Sequence, residues 1–303
     1  MPAVAAVALP DHPCYLNGDF TTLPHAKVSV LDRGFIFGDG VYEVVPAYGA
    51  RLFTFERHMA RLDRSLGELR MTNPLTHAAW HGIATDLIAN CVGGAGANGQ
   101  NGLRTEAWAV YIQVTRGVAM RDHVMPDGIV PTVFAMATPM KQPSEQARRD
   151  GVACISADDF RWMKGHIKST SLLGAVFARQ LSADAGATET ILFRDGVLTE
   201  ASASNVWVVK DGAVAGAPND ARVLEGIRYG LLQTLCADAG IAFSLRRIER
   251  DEVFAADELL LSSATKEVLP VTRLDGRLIG SGRPGPVYAA LYAGYQAAKA
   301  HGA

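Results

Sequence analysis

The chain has 303 residues, 49% hydrophobic and 20% charged, with a formal charge of −2. That is ordinary globular usage and enough length for one large or two medium domains, each with its own core. With no basic excess, nucleic acid and anionic membrane are excluded as natural partners.

The opening MPAVAAVALP is apolar but short, lacks a basic flank and is cut by Pro2 and Pro10. It does not read as a signal peptide, and no run reaches membrane-spanning length. Cys14, Cys91, Cys154 and Cys236 are scattered with no CxxC pair, as buried thiols of a reducing compartment are, rather than a disulfide frame or a zinc site. The expectation is a cytoplasmic protein.

The segment DRGFIFGDGVYEVV (32–45) sets two Gly beside an Asp, then Tyr42 and Glu43, inside an otherwise apolar run. Between Phe55 and Met71, residues Met59, Leu62, Leu66 and Leu69 recur at helical spacing, and Trp80, Ile83, Leu87, Ile88 and Cys91 predict a second helix. GGAGANGQNG (93–102) reads as a flexible surface loop. AWAVYIQVTRG (107–117) and TVFAMAT (132–138) read as strands. TPMKQPSEQARRDG (138–151) is the best domain linker. ETILFRDGVLTE and NVWVVKDGAVAG each read as strand, Asp-Gly turn and strand, hence hairpins. Residues 221–240 and 285–302 close the chain as helices. Helices and hairpin-linked strands mix in both halves, so the fold class is α+β with two domains, 1–140 and 151–303, joined by a linker at 141–150.

Lys168 sits in GHIKSTSLLGAV, hemmed in by apolar and hydroxyl residues, with Ser169, Thr170 and Ser171 available as caps for the helix that follows. Lys141, Lys210 and Lys299 read as solvated surface groups. A partly desolvated lysine has a depressed pKa and a neutral, nucleophilic amine suited to Schiff-base chemistry. Taken alone, the position also describes a lysine whose stem is buried and whose head reaches water. His25, His58 and His166 have no metal-ligand spacing around them and read as structural hydrogen-bonding histidines.

Six stretches occur in one order: DRGFIFGDGVYEVV, FERHMARL, IQVTRGVAMRDH, IKSTSLLGAV, LTEASASNVW and LEGIRYGLL. Together they resemble the fold-type IV pyridoxal-phosphate aminotransferases, and among these the D-amino acid branch most closely, from about Tyr15 to Val271. The resemblance implies a smaller N-terminal α/β domain and a larger C-terminal domain with a β-barrel-like core. It implies pyridoxal 5′-phosphate as cofactor, held by Lys168, whose amine then serves as base. Glu200 corresponds to the acid beside the pyridine nitrogen, and Arg61 to the phosphate arginine. Gly226 and Ile227 offer backbone N–H groups to the phosphate at a helix start. Ser202, Ser204, Asn205, Leu224, Arg228, Ser263 and Ala264 complete the cofactor set. The chain departs from the family at Arg228 and Ala264, where hydroxyl residues are usual; Ser263, Thr265 or the Arg228 cation are the candidate replacements.

Arg121 and His123 stand at R-x-H spacing in a loop after a strand, so both side chains can face one carboxylate; a solvated polar loop is the plainer reading of the same residues. The resemblance implies an α-carboxylate trap in which this pair reaches in from the neighbouring subunit of a homodimer and Tyr42 belongs to the receiving one. The implied activity moves an amino group between D-alanine, D-glutamate or D-aspartate and 2-oxoglutarate or pyruvate. The alternatives are an L-branched-chain aminotransferase, a β-eliminating enzyme like aminodeoxychorismate lyase, and a dimer that has lost catalysis, against which Lys168 and Glu200 argue.

Overall fold

Asn17 and Gly18, both at positive φ, fold strand β1 (Pro13–Leu16) back on β2 (Asp19–Thr22). The computed structural model describes residues 9–93 and 105–301, and the chain forms two compact units, Met1–Met140 and Lys141–Ala303. Of the segment 93–102, all but Gly93 lies outside the described residues.

In the first unit a short helix, α1 (Arg33–Phe37), is capped by Asp32, whose carboxylate accepts from the Gly34 N–H, and ends at Gly38 in the left-handed region. The strands β3 (Gly40–Tyr48) and β4 (Arg51–Leu52) follow, then helices α2 (Phe55–Glu68) and α3 (His77–Gly93), and strands β5 (Ala107–Thr115) and β6 (Thr132–Pro139). The strands form a six-stranded antiparallel sheet in the order β2-β1-β6-β5-β3-β4. On β3, Val41, Glu43 and Val45 are buried while Tyr42 and Val44 are half-exposed, as the period of two demands. Met59, Leu62 and Leu66 of α2, with Trp80 and Leu87 of α3, are fully buried; α2 packs against β3, and α3 against β1 and β6.

The second unit starts with α4 (Glu145–Asp150), capped by Ser144 and carrying Arg148 and Arg149 in its last turn. The segment expected to be a linker therefore holds a helix, stabilised by a cap and by charges that complement its dipole. Then come β7 (Val152–Asp158), α5 (Leu173–Asp184), β8 (Glu189–Arg194), β9 (Val197–Ala201), β10 (Asn205–Lys210), β11 (Ala213–Gly216), α6 (Arg228–Asp238), β12 (Phe243–Leu245), α7 (Arg250–Phe254), β13 (Glu258–Ser263), β14 (Glu267–Leu274), β15 (Arg277–Leu278) and α8 (Pro286–His301). The two Asp-Gly hairpins form as expected, with Asp195, Gly196, Asp211 and Gly212 all at positive φ, the geometry of a type I′ turn.

Among the described residues, nine strands make one sheet along the path β12-β11-β10-β13-β14-β7-β8-β9, with β15 beside β14. Strand β7 runs parallel to both β14 and β8, with α5 as the crossover between β7 and β8. The edge strand β9 returns to β10 through Ala201 N–H to Ser204 C=O. This curls the sheet around a core of Ile191, Phe193, Leu198, Val206, Leu261 and Leu269 and gives the half-barrel the resemblance implied.

Three local expectations change. Helix α6 starts at Arg228 rather than 221, because Asp220 accepts from the Arg222 N–H and side chain, and the Leu224 carbonyl from Asn205, holding 221–227 out of the helix. Helix α5 has Leu172, not one of the three preceding hydroxyl residues, at its cap position. Lys299 is no solvated group: its Nζ lies 2.7 Å from Oε1 of the buried Glu267. All four cysteines are free and buried. Burial raises the Cys14 thiol and pushes those of Cys91 and Cys236 up to about 11 and Cys154 to about 12.

Candidate active site

In the second unit Lys168 lies between β7 and α5, half-buried between buried Ile167 and Ser169. Its loop is fixed to the 221–227 segment by the Gly165 N–H, which donates to the Ala221 carbonyl at 2.7 Å.

Glu200 sits near the end of β9 and is buried. Its Oε1 accepts from Arg161 Nη1 at 2.5 Å, and Oε2 from the Leu224 N–H at 3.2 Å and Asn205 Nδ2 at 3.3 Å. Burial raises the Glu200 carboxyl above its ordinary pKa against the pull of Arg161. Arg161 is held from its other side by Asp159, through Nε and Nη2, both at 2.9 Å, and Thr199 donates to the same aspartate. Asp159 stays below the usual carboxylate range because Arg161 outweighs its burial.

Ser202 and Ser204 turn their hydroxyls to Glu189, which is fully buried. These bonds hold the segment that carries Asn205. Lys266 closes the same cluster, its Nζ 2.6 Å from Glu189 Oε1, and ties the β13–β14 turn to it. Asn205 in turn holds the Leu224 carbonyl at 3.0 Å. A Cβ on Gly226 would collide with Asn205 Oδ1, so only glycine lets the backbone approach this closely.

Helix α6 starts without a side-chain cap, which leaves its first N–H groups to other partners. Arg228, its first residue, is 1% exposed, donates to the Ala264 carbonyl at 3.4 Å and packs on the Tyr295 ring at 5.3 Å. Ser263 Oγ accepts from the Lys266 N–H. The set comprises a half-buried amine, a buried carboxylate fixed by Arg161, a helix start with no side-chain cap and a polar turn. It suits the aldehyde, pyridine nitrogen and phosphate of pyridoxal phosphate.

In the first unit Arg61 is 5% exposed and forks onto Glu43, Nε to Oε1 at 2.7 Å and Nη2 to Oε2 at 2.8 Å. His58 Nδ1 shares Oε2 at 2.7 Å, the structural role expected of it, whereas His25 is exposed. Glu43 is fully buried, yet Arg61 and His58 hold its carboxyl well below the usual range. Its stabilising contribution is therefore present above the unfolded value and lost as pH falls through and below it. Glu43→Ala strands a buried guanidinium and is expected to cost about 3–5 kcal/mol. Denaturant midpoints at pH 7 check it, and a variant within about 1 kcal/mol of the parent by that measure would contradict this account.

Arg121 and His123 are exposed and meet at one ring: the Arg121 guanidinium lies 5.6 Å from the Phe37 centroid and the His123 ring 5.4 Å from it. Tyr42 stacks on Tyr111 on the half-exposed face of the sheet.

Sequence reasoning missed Arg161, Asp159, Glu189 and the anchoring role of Glu43. Arg161 had one signal, since a buried Glu200 calls for a cation, but the two stand 39 residues apart with no periodic relation.

A sequence model described as class IV amino-transferase matches residues 40–274. The D-alanine aminotransferase of Bacillus licheniformis is 38% identical over 271 residues, covering 89% of this chain and 91% of the relative. That of Staphylococcus haemolyticus is 35% identical over 282 residues, 93% of this chain and 95% of the relative. Among solved structures, a T.th. branched-chain amino acid aminotransferase with pyridoxamine 5′-phosphate superposes with a TM-score of 0.83 at 25% identity, covering 96% of this chain and 95% of that one. The Escherichia coli branched-chain amino acid aminotransferase does so with a TM-score of 0.80 at 21% identity, covering 93% and 92%.

Proposed function

The chain belongs to the class IV aminotransferase family, and from that premise we propose that it transfers amino groups between D-amino acids and 2-oxo acids. D-alanine, D-glutamate and D-aspartate are the donors proposed, 2-oxoglutarate and pyruvate the acceptors. The observation that carries the reading is the meeting of Arg121 and His123 on the Phe37 ring, a cation and a second donor for a single carboxylate. The relatives' names supply the hand of the substrate.

The enzymes of this family work with pyridoxal phosphate. Bound, the cofactor supplies an aldehyde that captures the substrate amine and a ring that takes up electron density from its α-carbon. Lys168 would hold it, and the Lys168 amine, released when the substrate amine takes its place, would take the proton from the substrate α-carbon. Glu200, fixed by Arg161, Asn205 and Leu224, keeps a proton on the ring nitrogen. Gly226 and Ile227 at the start of α6, with Ser263 and Thr265, are proposed for the phosphate, as is Arg61. Arg228 donates to the Ala264 carbonyl, between Ser263 and Thr265.

Homodimerisation is part of the proposal. The α5 residues Leu173, Val176 and Phe177, and in the first unit Val30, Phe35 and Met120, are all more than half exposed, apolar side chains that a second subunit would cover. A cytoplasmic location fits the four unpaired thiols, and none of the described helices is long and apolar enough to cross a membrane.

The test is amine transfer from paired D- and L-alanine, and D- and L-glutamate, to 2-oxo acids. Faster turnover of the L-partners would overturn the assignment of hand. Glu200→Gln is expected to retain the cofactor and slow single-turnover proton abstraction on the order of 10²-fold, the scale of one lost electrostatic stabiliser. An unchanged rate would remove Glu200 from the ring.

A further inference from the structure

The Arg121–His123 pair lies on a long connection, residues 116–131, between β5 and β6. Both ends of that connection are fastened to the DRG segment. The Arg33 N–H donates to the Gly117 carbonyl at 2.8 Å, Asp32 bridges Val118, and the Ala119 N–H reaches the Leu31 carbonyl. At the far end Thr132 Oγ1 donates to Asp32 Oδ2 at 2.6 Å. Gly117 is at φ +99°, and a Cβ there would strike the Val130 carbonyl, so the two limbs of the loop touch only because it is glycine.

Between these ends one side chain grips the tip. Arg33 Nη1 donates to the Asp122 carbonyl at 2.6 Å, the carbonyl of the residue between Arg121 and His123. Rotating that peptide would swing both side chains, so this bond sets the orientation of both at once. Arg33 is itself immobilised: it is 3% exposed, and its Nε lies 2.8 Å from Asp39 Oδ2. Asp39 is locked in turn by Arg116, through Nε at 2.8 Å and Nη2 at 3.1 Å, while Arg116 Nη2 also reaches the Leu69 carbonyl. The Phe37 ring, 4.7 Å from the Arg33 guanidinium, is the surface on which Arg121 and His123 rest.

We infer that Arg33, clamped on Asp39, is a positioning residue that aims the Arg121–His123 pair at the substrate carboxylate through the Asp122 carbonyl, with Phe37 as the platform. This rests on the carboxylate-binding role proposed for Arg121. A displacement of about 1 Å in such a positioning element costs on the order of 10²-fold, and a defect confined to substrate binding falls on KM rather than kcat.

The test compares Arg33→Lys, Arg33→Met, Phe37→Leu, Arg121→Ala and the Arg33→Met/Arg121→Ala double variant as cofactor-loaded enzymes, reading KM for the amino donor, kcat, cofactor absorbance and melting temperature. Lysine keeps a charge for Asp39 but has no second arm for the Asp122 carbonyl. Arg33→Lys is therefore expected to melt like the parent, keep its cofactor and kcat, and raise KM about tenfold or more. The double variant is expected to match Arg121→Ala alone, because a trap without its guanidinium has nothing left to aim. If Arg33→Lys does not fold, Phe37→Leu carries the same expectation on KM. Should Arg121→Ala raise KM while Arg33→Lys and Phe37→Leu leave it at the parental value, or should the Arg33 and Arg121 effects simply multiply, the positioning role is overturned and the trap stands. Should Arg121→Ala leave KM unmoved, the trap itself falls and takes this inference with it.

Discussion

Replacing Lys168 with alanine is expected to lower amino transfer by a factor on the order of 10³ or more, since one amine both holds the cofactor and moves the proton. The variant should still bind pyridoxal phosphate, because Glu200, Gly226 and the start of α6 remain where they are. Borohydride reduction followed by peptide mapping should trap the cofactor on the peptide containing Lys168 in the parent and on none in the variant. A variant within about tenfold of the parent in turnover, or a cofactor trapped on Lys164 or Lys266 instead, would contradict the assignment. Lys266 is a poor rival on physical grounds, because its amine is already engaged with Glu189 at 2.6 Å.

Arg121→Ala should raise KM for the amino donor by roughly one and a half to three and a half powers of ten. That range converts the roughly 2–5 kcal/mol lost when one partner of a desolvated charge pair is truncated at about 1.4 kcal/mol per tenfold. The size of the effect carries information of its own. In the single chain Arg121 is exposed, and an exposed ion pair contributes only about 0–1 kcal/mol. An effect below about tenfold would thus mean that the guanidinium stays in water, whereas a larger one requires something to cover it, for which the second subunit is the proposed cover. Arg121→Lys should recover part of the loss, since a point charge replaces a planar fork. If the site is shared, Lys168→Ala and Arg121→Ala subunits, each defective alone, should regain activity when mixed, because one hybrid site combines the intact lysine with the intact trap. Subunits that exchange and never recover activity would refute sharing.

What could be read from the chain beforehand follows from how local each interaction is. The hairpins at Asp195-Gly196 and Asp211-Gly212 were legible because the turn chemistry and the strands it joins lie close together in the chain. Helix α2 was legible because Met59, Leu62 and Leu66 mark one face. The start of α6 was not, because what stops the helix before Arg228 is the grip of Asn205 on the Leu224 carbonyl, a contact from another hairpin. Lys299 looked like a surface lysine because the C-terminal helix gives no hint that Glu267 lies buried against it. The candidate site divides the same way. Lys168, Glu200 and the Arg121–His123 pair stand in recognisable strings, whereas Arg161, Glu189 and Glu43 act through partners remote in sequence, and only the folded chain brings them together.

The four cysteines, buried thiols with raised pKa values, make the folded protein a poor target for alkylating reagents, because the thiolate is the reactive form. Each becomes reactive when its surroundings open, so reagent uptake is a built-in clock for local unfolding. Their distribution is useful: Cys14 and Cys91 lie in β1 and α3, Cys154 and Cys236 in β7 and α6. Mass spectrometry of the chain during labelling in mild denaturant would therefore separate two histories. Four labels arriving together would mean that both halves melt in one event; two arriving first would identify the half that opens while the other remains intact.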